Sequence, residues 1–275
     1  NRVVNSMLAE IALFQAQYPW LMGVYVFAIG SAIGSFINVV VYRLPIMLSQ
    51  DWQTQAIAII DESIDAPVEI AALKFRMPST RDKFNLVFPR SSCPHCDVAI
   101  KPWHNIPIIG YLLIRGKCAN CKAAVSARYP IVELFTGILS LCAWVNFGFS
   151  AVGGAALVLT WVLICLALID FDTQLLPDDI TLPVMWLGLI VNYFGIITSF
   201  DSAFFGAITG YLVLWTVYQI FKLITGKEGM GFGDFKMLAM LGAWLGMISL
   251  PLIILLSSLT GAILGGALII LGRDK

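Results

Sequence analysis

The chain has 275 residues, of which 59% are hydrophobic and 12% are charged, and its mean hydropathy is +0.86. A soluble globule of this length does not need so much apolar surface for its core, so the composition indicates an integral membrane protein. The formal net charge is zero, which gives no indication of nucleic acid or of a strongly charged partner.

Seven segments are apolar over a length near the roughly 20 residues that a spanning helix requires. In chain order they are residues 20–41, 129–149, 151–169, 180–197, 203–221, 235–249 and 250–271. The sixth is short for a crossing, and an eighth span could lie within these borders. The sequence therefore predicts an all-α polytopic membrane protein of about seven transmembrane helices, or eight, in a lipid bilayer.

A polar insertion, residues 45–128, follows the first span. Together with Arg43 just before it, the insertion holds 11 of the 17 basic residues of the chain. The positive-inside rule therefore places it in the cytoplasm, although the rule applies best to shorter loops. Counting seven crossings from there returns Lys222, Lys227 and Lys236 to the cytoplasm as well. The N-terminus is then outside and the C-terminus is cytoplasmic.

Two CxxC pairs lie in this insertion, "CPHC" and "CANC", with 21 residues between them. Each pair forms a tight turn that aims two sulfurs at one ion, so the spacing suits a tetrahedral zinc site. The four ligands are Cys93, Cys96, Cys118 and Cys121. A pair of disulfides and a redox CxxC are the alternatives, and a reducing cytoplasm disfavours the first. Four thiolates leave no open position for water, which makes the zinc structural, with His95 and His104 outside the site.

Three regions follow from these elements. They are an N-terminal region with the first transmembrane helix (1–44), a cytoplasmic zinc-binding insertion (45–128) and a transmembrane domain (129–275). Within the insertion, residues 48–81 mix acids, bases and short apolar runs. We expect this interval to form an amphipathic helix on the membrane surface or part of the zinc domain.

Ionisable residues in or beside a span are costly, so each one is a candidate functional residue. They are Glu133, Asp170, Asp172, Asp178, Asp179 and Asp234. The predicted topology places Asp170 at the cytoplasmic end of the third span and Asp234 at the cytoplasmic head of the sixth. Two carboxylates that face one another share a proton, so one can activate water while the other protonates a scissile carbonyl. This is the chemistry of an aspartic protease.

Asp234 belongs to "GMGFGDFKML", residues 229–238. Gly231 and Gly233 would let this loop bend and let a substrate backbone approach closely. The alternative is that Asp234 only caps a helix beginning at Phe235. Among the other acids, Asp172 points away from Asp170 if one helix continues through both residues.

Asp178 and Asp179 follow Pro177 at the start of the fourth span. An N-cap is the simplest explanation for them.

Several of these motifs together resemble the bacterial type IV prepilin peptidases, which are membrane aspartyl proteases of the GxGD type. The matching stretches are "GSAIGSFINVVVYRLP", "FPRSSCPHC", "CANC", "RYPIVELFTG", "DFDTQLLPDDITLP" and "GMGFGD". The resemblance implies a bifunctional enzyme of the bacterial inner membrane. It would cut the basic leader from prepilins and type II secretion pseudopilins at the cytoplasmic face. It would then N-methylate the new N-terminal residue with S-adenosylmethionine.

The resemblance maps the catalytic pair onto Asp170 and Asp234 and the metal ligands onto the four cysteines. No GxGxxG follows a predicted strand, so a Rossmann-type cofactor fold is not expected, and the methyltransferase activity rests on the resemblance alone. The cofactor would then bind among the helices and the cytoplasmic domain. Glu133 is a candidate contact for its sulfonium or for the substrate amine.

Small residues four apart occur in several spans, as in Gly206 with Gly210, Gly242 with Gly246 and Gly261 with Gly265. Such pairs could receive a substrate helix, but they more often pack a protein's own helices.

A second function is compatible with the two acids. In a proton- or cation-coupled transporter Asp170 and Asp234 would relay protons or bind the cation. A transporter prefers acids at the bilayer midplane and repeated halves, and the sequence indicates neither.

Overall fold

The computed structural model describes residues 17–63 and 84–270. Apart from two isolated antiparallel bridges, the regular structure of these residues is helical, which confirms the all-α prediction. The chain divides into two compact units, Asn1–Gln174 and Leu175–Lys275. The first contains Asp170 and the four cysteines, and the second contains Asp234.

The first unit begins with helix α1, Pro19–Ser63, which contains the predicted first span and continues through Pro45. Its 45 residues correspond to about 68 Å at 1.5 Å per residue, more than twice the thickness of a hydrocarbon core. The beginning of the predicted insertion is therefore a continuation of α1. Residues 64–81 of the interval for which we expected a surface helix or part of the zinc domain lie outside the described residues.

In the described residues of the first unit, three further α-helices follow: the short α2, Ile109–Leu113, then α3, Arg128–Phe147, and α4, Ala151–Thr173. Small residues let α1 and α3 pack closely, since a Cβ on Gly34 would lie 2.9 Å from Glu133 Cα. The hydroxyl of Ser150 caps α4 by accepting the Gly153 N–H at 3.0 Å. The helix ends where Gln174 adopts a left-handed conformation with φ 54°.

The second unit contains α5, Asp178–Tyr193, α6, Phe200–Thr225, α7, Phe232–Leu245, and α8, Leu250–Ile270. Helices α6 and α7 touch backbone to backbone, because a Cβ on Gly242 would lie against the carbonyl oxygen of Gly206. Gly206, Gly210 and Gly242 therefore pack the protein's own helices, which is the more common role of such glycine pairs. Gly261 and Gly265 of α8 differ, since a Cβ on either would meet nothing within 4 Å.

A buried asparagine ties the end of α7 to the loop after α5. The side-chain amide of Asn192 donates to the carbonyl oxygens of Ala243 at 2.8 Å and Trp244 at 2.9 Å. Its own oxygen accepts the backbone N–H groups of Ile197 and Thr198. A fully buried polar side chain is stable here because all of these hydrogen bonds are made.

Four helical segments are long and apolar enough to cross a membrane in the described part of the chain. They are Pro19–Ile60, Arg128–Phe147, Ala151–Thr173 and Phe200–Thr225. Helices occupy the other three predicted spans, but α5 and α7 have only 16 and 14 residues. The short length expected for the sixth span is thus found in α7.

Candidate functional site

The four predicted metal ligands come together. The Sγ atoms of Cys93, Cys96, Cys118 and Cys121 all lie within 4.8 Å of one another, and His95 and His104 do not belong to the group. Cys93 Sγ lies 3.7 Å from Cys121 Sγ, and Cys96 Sγ lies 4.0 Å from Cys118 Sγ. All four cysteines are free, and these separations are far longer than a disulfide bond.

Two similar turns carry these sulfurs. In the first, the Cys93 N–H donates to the Val98 carbonyl at 3.1 Å, and the Asp97 N–H returns to the Cys93 carbonyl at 2.9 Å. In the second, the Cys118 N–H donates to Ala123 and the Lys122 N–H returns to Cys118. Asp97 and Lys122 take the same position and both have positive φ, 54° and 62°.

The donor set fits zinc. A Zn–S bond of about 2.3 Å in a tetrahedron separates the sulfurs by about 3.8 Å, close to the distances between the two turns. Backbone N–H groups of Cys121 and Asn120 lower the pKa of the Cys118 thiol to about 6. The thiolate, which is the form that binds metal, is therefore available at neutral pH on this cysteine.

We call residues 84–127 the metal module. Arg43 of α1 anchors its first part, because the buried guanidinium donates to the carbonyl oxygens of Asn85 at 2.8 Å and Pro89 at 2.6 Å. In the sequence, Arg43 indicated only a positive charge beside the insertion. The sequence feature that could have indicated the structural role of Arg43 is its position: a charged residue lies in the helix that contains the first span.

Glu133 of α3 anchors the second part of the module. Its carboxylate is buried, and Oε2 accepts the backbone N–H of Ile108 at 2.7 Å. Ile108 has φ 61°, a conformation that a β-branched residue adopts only when its surroundings hold it there. The candidate cofactor contact is therefore also a structural acceptor, and one of its oxygens is already engaged.

Asp170 lies in the last turn of α4, where its backbone carbonyl accepts the Gln174 N–H at 2.8 Å. The side chain is exposed. Asp172 follows on the same helix and is bound by both guanidinium N–H groups of Arg128, at 2.8 and 2.7 Å. Since α4 continues to Thr173, the expectation that Asp170 and Asp172 point in different directions applies to this structure.

Asp234 is the third residue of α7 and is exposed, and Gly231 occupies the N-cap position. The alternative that Asp234 caps a helix beginning at Phe235 is therefore wrong. Gly231 and Gly233 differ in surroundings. A Cβ on Gly233 would lie 2.9 Å from Leu176 Cβ, whereas a Cβ on Gly231 would meet only the Asp234 carboxylate, at 3.9 Å. Gly233 is thus required for close packing within the protein.

Asp178 is not the N-cap of α5 either, because Pro177 holds that position and no side chain caps the helix. The Asp178 carboxylate instead binds Lys236 Nζ, at 2.6 and 2.8 Å. This ion pair joins the first turn of α5 to the second turn of α7. Lys236 stands two residues after Asp234, as Asp172 stands two residues after Asp170, so each candidate aspartate has an ion pair beside it.

These features define a class: a helical protein with several apolar helices long enough to cross a membrane, a four-cysteine metal module and acidic residues at helix ends. Residues 28–147 match the model of the bacterial peptidase A24 N-terminal domain, and residues 157–266 match that of the type IV leader peptidase family. No solved structure matches the chain.

Curated relatives cover almost the whole chain. A protein of Stutzerimonas stutzeri named prepilin leader peptidase/N-methyltransferase is 53% identical over 92% of this chain and 83% of its own length. Relatives of the same name from Pseudomonas aeruginosa and Aeromonas hydrophila are 51% and 48% identical, each over 92% of this chain and over 82% and 83% of their own lengths. The chain belongs to the type IV leader peptidase family. The resemblance and the enzyme class predicted from the motifs are confirmed, and the transporter alternative is not supported.

Proposed function

We propose that this chain cleaves the leader from type IV prepilins and type II secretion pseudopilins, and methylates the N-terminal residue that cleavage exposes. The observation that supports this proposal is sequence identity: over 92% of its length the chain is 53% and 51% identical to two proteins that are named for both activities. We place the enzyme in the bacterial inner membrane, with seven or eight crossings and its catalytic face in the cytoplasm.

For the peptidase reaction we assign Asp170 and Asp234 as the catalytic pair. One carboxylate takes a proton from the attacking water, and the other donates a proton to the carbonyl oxygen of the scissile bond. Asp234 stands in the first turn of α7, at the end where a helix carries a partial positive charge. Asp170 stands in the last turn of α4.

Two neighbouring acids are engaged in ion pairs. Asp172 is held by Arg128, and Asp178 is held by Lys236. Gly231 borders the Asp234 carboxylate, and nothing else would approach a Cβ there within 4 Å. We assign Gly231 to the end of the active-site loop and Gly233 to the first turn of α7 that follows it, with Gly231 as the position where a substrate backbone could come close.

We assign a structural role to zinc at the four cysteines. Four thiolates complete a tetrahedron and leave no position for a reacting water. Within residues 84–127 only Cys93 and Gly110 are buried, so the module lacks an apolar core of its own in this part of the chain. Metal ligation then supplies the folding free energy that a core would otherwise provide.

For the methyltransferase reaction S-adenosylmethionine supplies the methyl group when it is bound. The chain must hold the new N-terminal amine in its neutral form and in line with that group. Glu133 is our candidate contact for the amine or the sulfonium, since one carboxylate oxygen is bound to the Ile108 N–H and the other can face a cation. Glu133→Gln retains the acceptor for Ile108 but removes the charge. If the charge is needed, Glu133→Gln lowers methyl transfer at least tenfold and leaves metal content unchanged.

Incubating the detergent-solubilised protein with a prepilin tests the proposed function. We expect a product shortened by the leader, and incorporation of labelled methyl at the new N-terminus when S-adenosylmethionine is added. Protein that binds metal and melts cooperatively but yields no shortened prepilin would contradict the peptidase proposal. A shortened but unmethylated product would contradict only the methyltransferase proposal.

A further inference from the structure

The short helix α2 of the metal module turns apolar side chains outward. Ile109, Leu112 and Leu113 are 55%, 66% and 64% exposed, and their spacing puts them on one side of the helix. We call these three residues the apolar stripe. Gly110 lies off the stripe and is buried against the carbonyl oxygen of His104, so the helix is packed on its inner side only.

The stripe lies at a depth that the anchoring hydrogen bond fixes. Helix α3 has 20 residues, or about 30 Å, which matches the hydrocarbon thickness of a bilayer. Glu133 is its sixth residue, roughly 8 Å from the helix start. Helical side chains lean towards the N-terminus, so the carboxylate reaches back towards the membrane surface, where it holds the Ile108 N–H at 2.7 Å. Ile109 follows directly, so the stripe begins at the boundary between hydrocarbon and headgroups.

The residues around the stripe suit a membrane surface. Residues 84–127 contain five basic residues and one acidic residue. Arg115 and Lys117 follow the stripe and are exposed, and Lys101 Nζ lies 5.5 Å from the centre of the exposed Trp103 ring. Tryptophan beside lysine and arginine is typical of the interface, where the ring sits among headgroups and the cations meet anionic lipid.

We propose that the metal module docks on the membrane that α3 crosses, with the apolar stripe inserted at the boundary between headgroups and acyl chains. Trp103 and the basic residues lie at the headgroup level. This docking explains why three large apolar side chains are turned away from the module that carries them. It requires that α3 spans the membrane, and it does not depend on peptidase or methyltransferase activity.

Lipid quenching of Trp103 tests the docking in the full chain reconstituted into nanodiscs. Because the chain has eight tryptophans, the Trp103 signal is the difference between the wild-type spectrum and that of Trp103→Phe. With anionic lipids brominated near the headgroup end of the acyl chain, we expect this signal to fall by about half relative to unbrominated lipids. A Trp103 signal that no brominated lipid reduces would overturn the proposal.

The combined substitution Leu112→Glu and Leu113→Glu should remove most of that quenching. Val87→Glu is the matched control, because Val87 belongs to the same module and is 71% exposed but lies outside the stripe. Zinc content measured on each variant checks that the module is intact. The quenching of the wild-type protein tests the docking even if a variant does not fold. Equal loss of quenching in the control would contradict the role of the stripe. If Trp103 responds to added prepilin and not to lipid, the surface binds substrate and the proposal is wrong.

Discussion

In the metal module, residues 84–127, only Cys93 and Gly110 are buried, whereas the second unit encloses Trp244, Phe235 and Met240 completely. In the module four cysteines come together, and hydrogen bonds from Arg43 and to Glu133 connect it to α1 and α3. The second unit is held by helices in backbone contact and by a buried asparagine. A small segment without an apolar core depends on metal ligation, while packed helices do not. We therefore assign support to the module and proteolytic chemistry to the helix ends.

The largest effect should come from the helix ends. We expect Asp170→Asn and Asp234→Asn each to lower prepilin cleavage by about 10³-fold or more, because an amide cannot act as base or acid in a shared-proton pair. Initial rates of leader removal, measured on protein with normal membrane insertion, check this result.

Asp172→Asn is the matched control for Asp170, since it is on the same helix and its carboxylate is bound to Arg128. We expect it to lose less than tenfold. Asp234→Asn should still methylate a pilin that was cleaved beforehand, because methyl transfer requires neither carboxylate of the pair. Full cleavage by either Asn variant would remove that aspartate from the site. Loss of both activities in folded Asp234→Asn protein would instead indicate one shared site.

The module should respond to loss of a ligand, with a smaller effect on the helices. We expect the purified protein to contain about one zinc per chain, and Cys93→Ser to lower this content strongly because a tetrahedral site loses one of four ligands. Limited proteolysis should then cut within residues 84–127 while the helical content stays the same. Cys142→Ser is the control, as Cys142 is free and exposed on α3. Metal-free wild-type protein with an ordered module would contradict the inference that the module depends on metal ligation.

The second unit should respond to a single added methyl group. We expect Gly242→Ala to lower the free energy of unfolding by about 1–3 kcal/mol, because the new Cβ would overlap the Gly206 backbone. Gly154→Ala is the control, since nothing lies within 4 Å of a Cβ there and alanine favours a helix by up to about 1 kcal/mol. Melting temperatures in detergent measure both. Equal melting temperatures for the two variants would show that the close approach of α6 and α7 is not needed.

The smallest effect should come from the ion pair between Lys236 and Asp178. Both side chains are partly exposed, 29% and 50%, so water screens the pair and Lys236→Met should cost less than about 1 kcal/mol. Since this pair joins the starts of α5 and α7, we expect a modest loss of cleavage, below tenfold. Thermal melting and cleavage rates on the same preparation separate the two effects. A loss as large as that of Asp234→Asn would give Lys236 a direct part in the reaction.

The sequence by itself determined the apolar helices, the four-cysteine cluster and the family. These features are local or depend on spacing: a run of apolar residues predicts a span, and two CxxC pairs predict one ion site wherever the intervening chain goes. The glycine-rich motif and the acid with its downstream proline and aspartate identified the candidate catalytic residues. Their assignment to one active site stays a prediction from the sequence, as do the borders of the three proposed domains.

Only the tertiary structure decided which partner each charged residue has. Arg43 binds carbonyl oxygens more than 40 residues away, and Asp172 binds Arg128 across 44 residues. Nothing in local sequence encodes such pairs, because they form only when packing brings distant segments together. The same reason explains why the sequence could not tell an N-cap from an ion pair at Asp178, or show that Gly242 meets Gly206 while Gly261 meets nothing. Residue type and spacing limit the interactions that a side chain can make, and tertiary packing selects its partner.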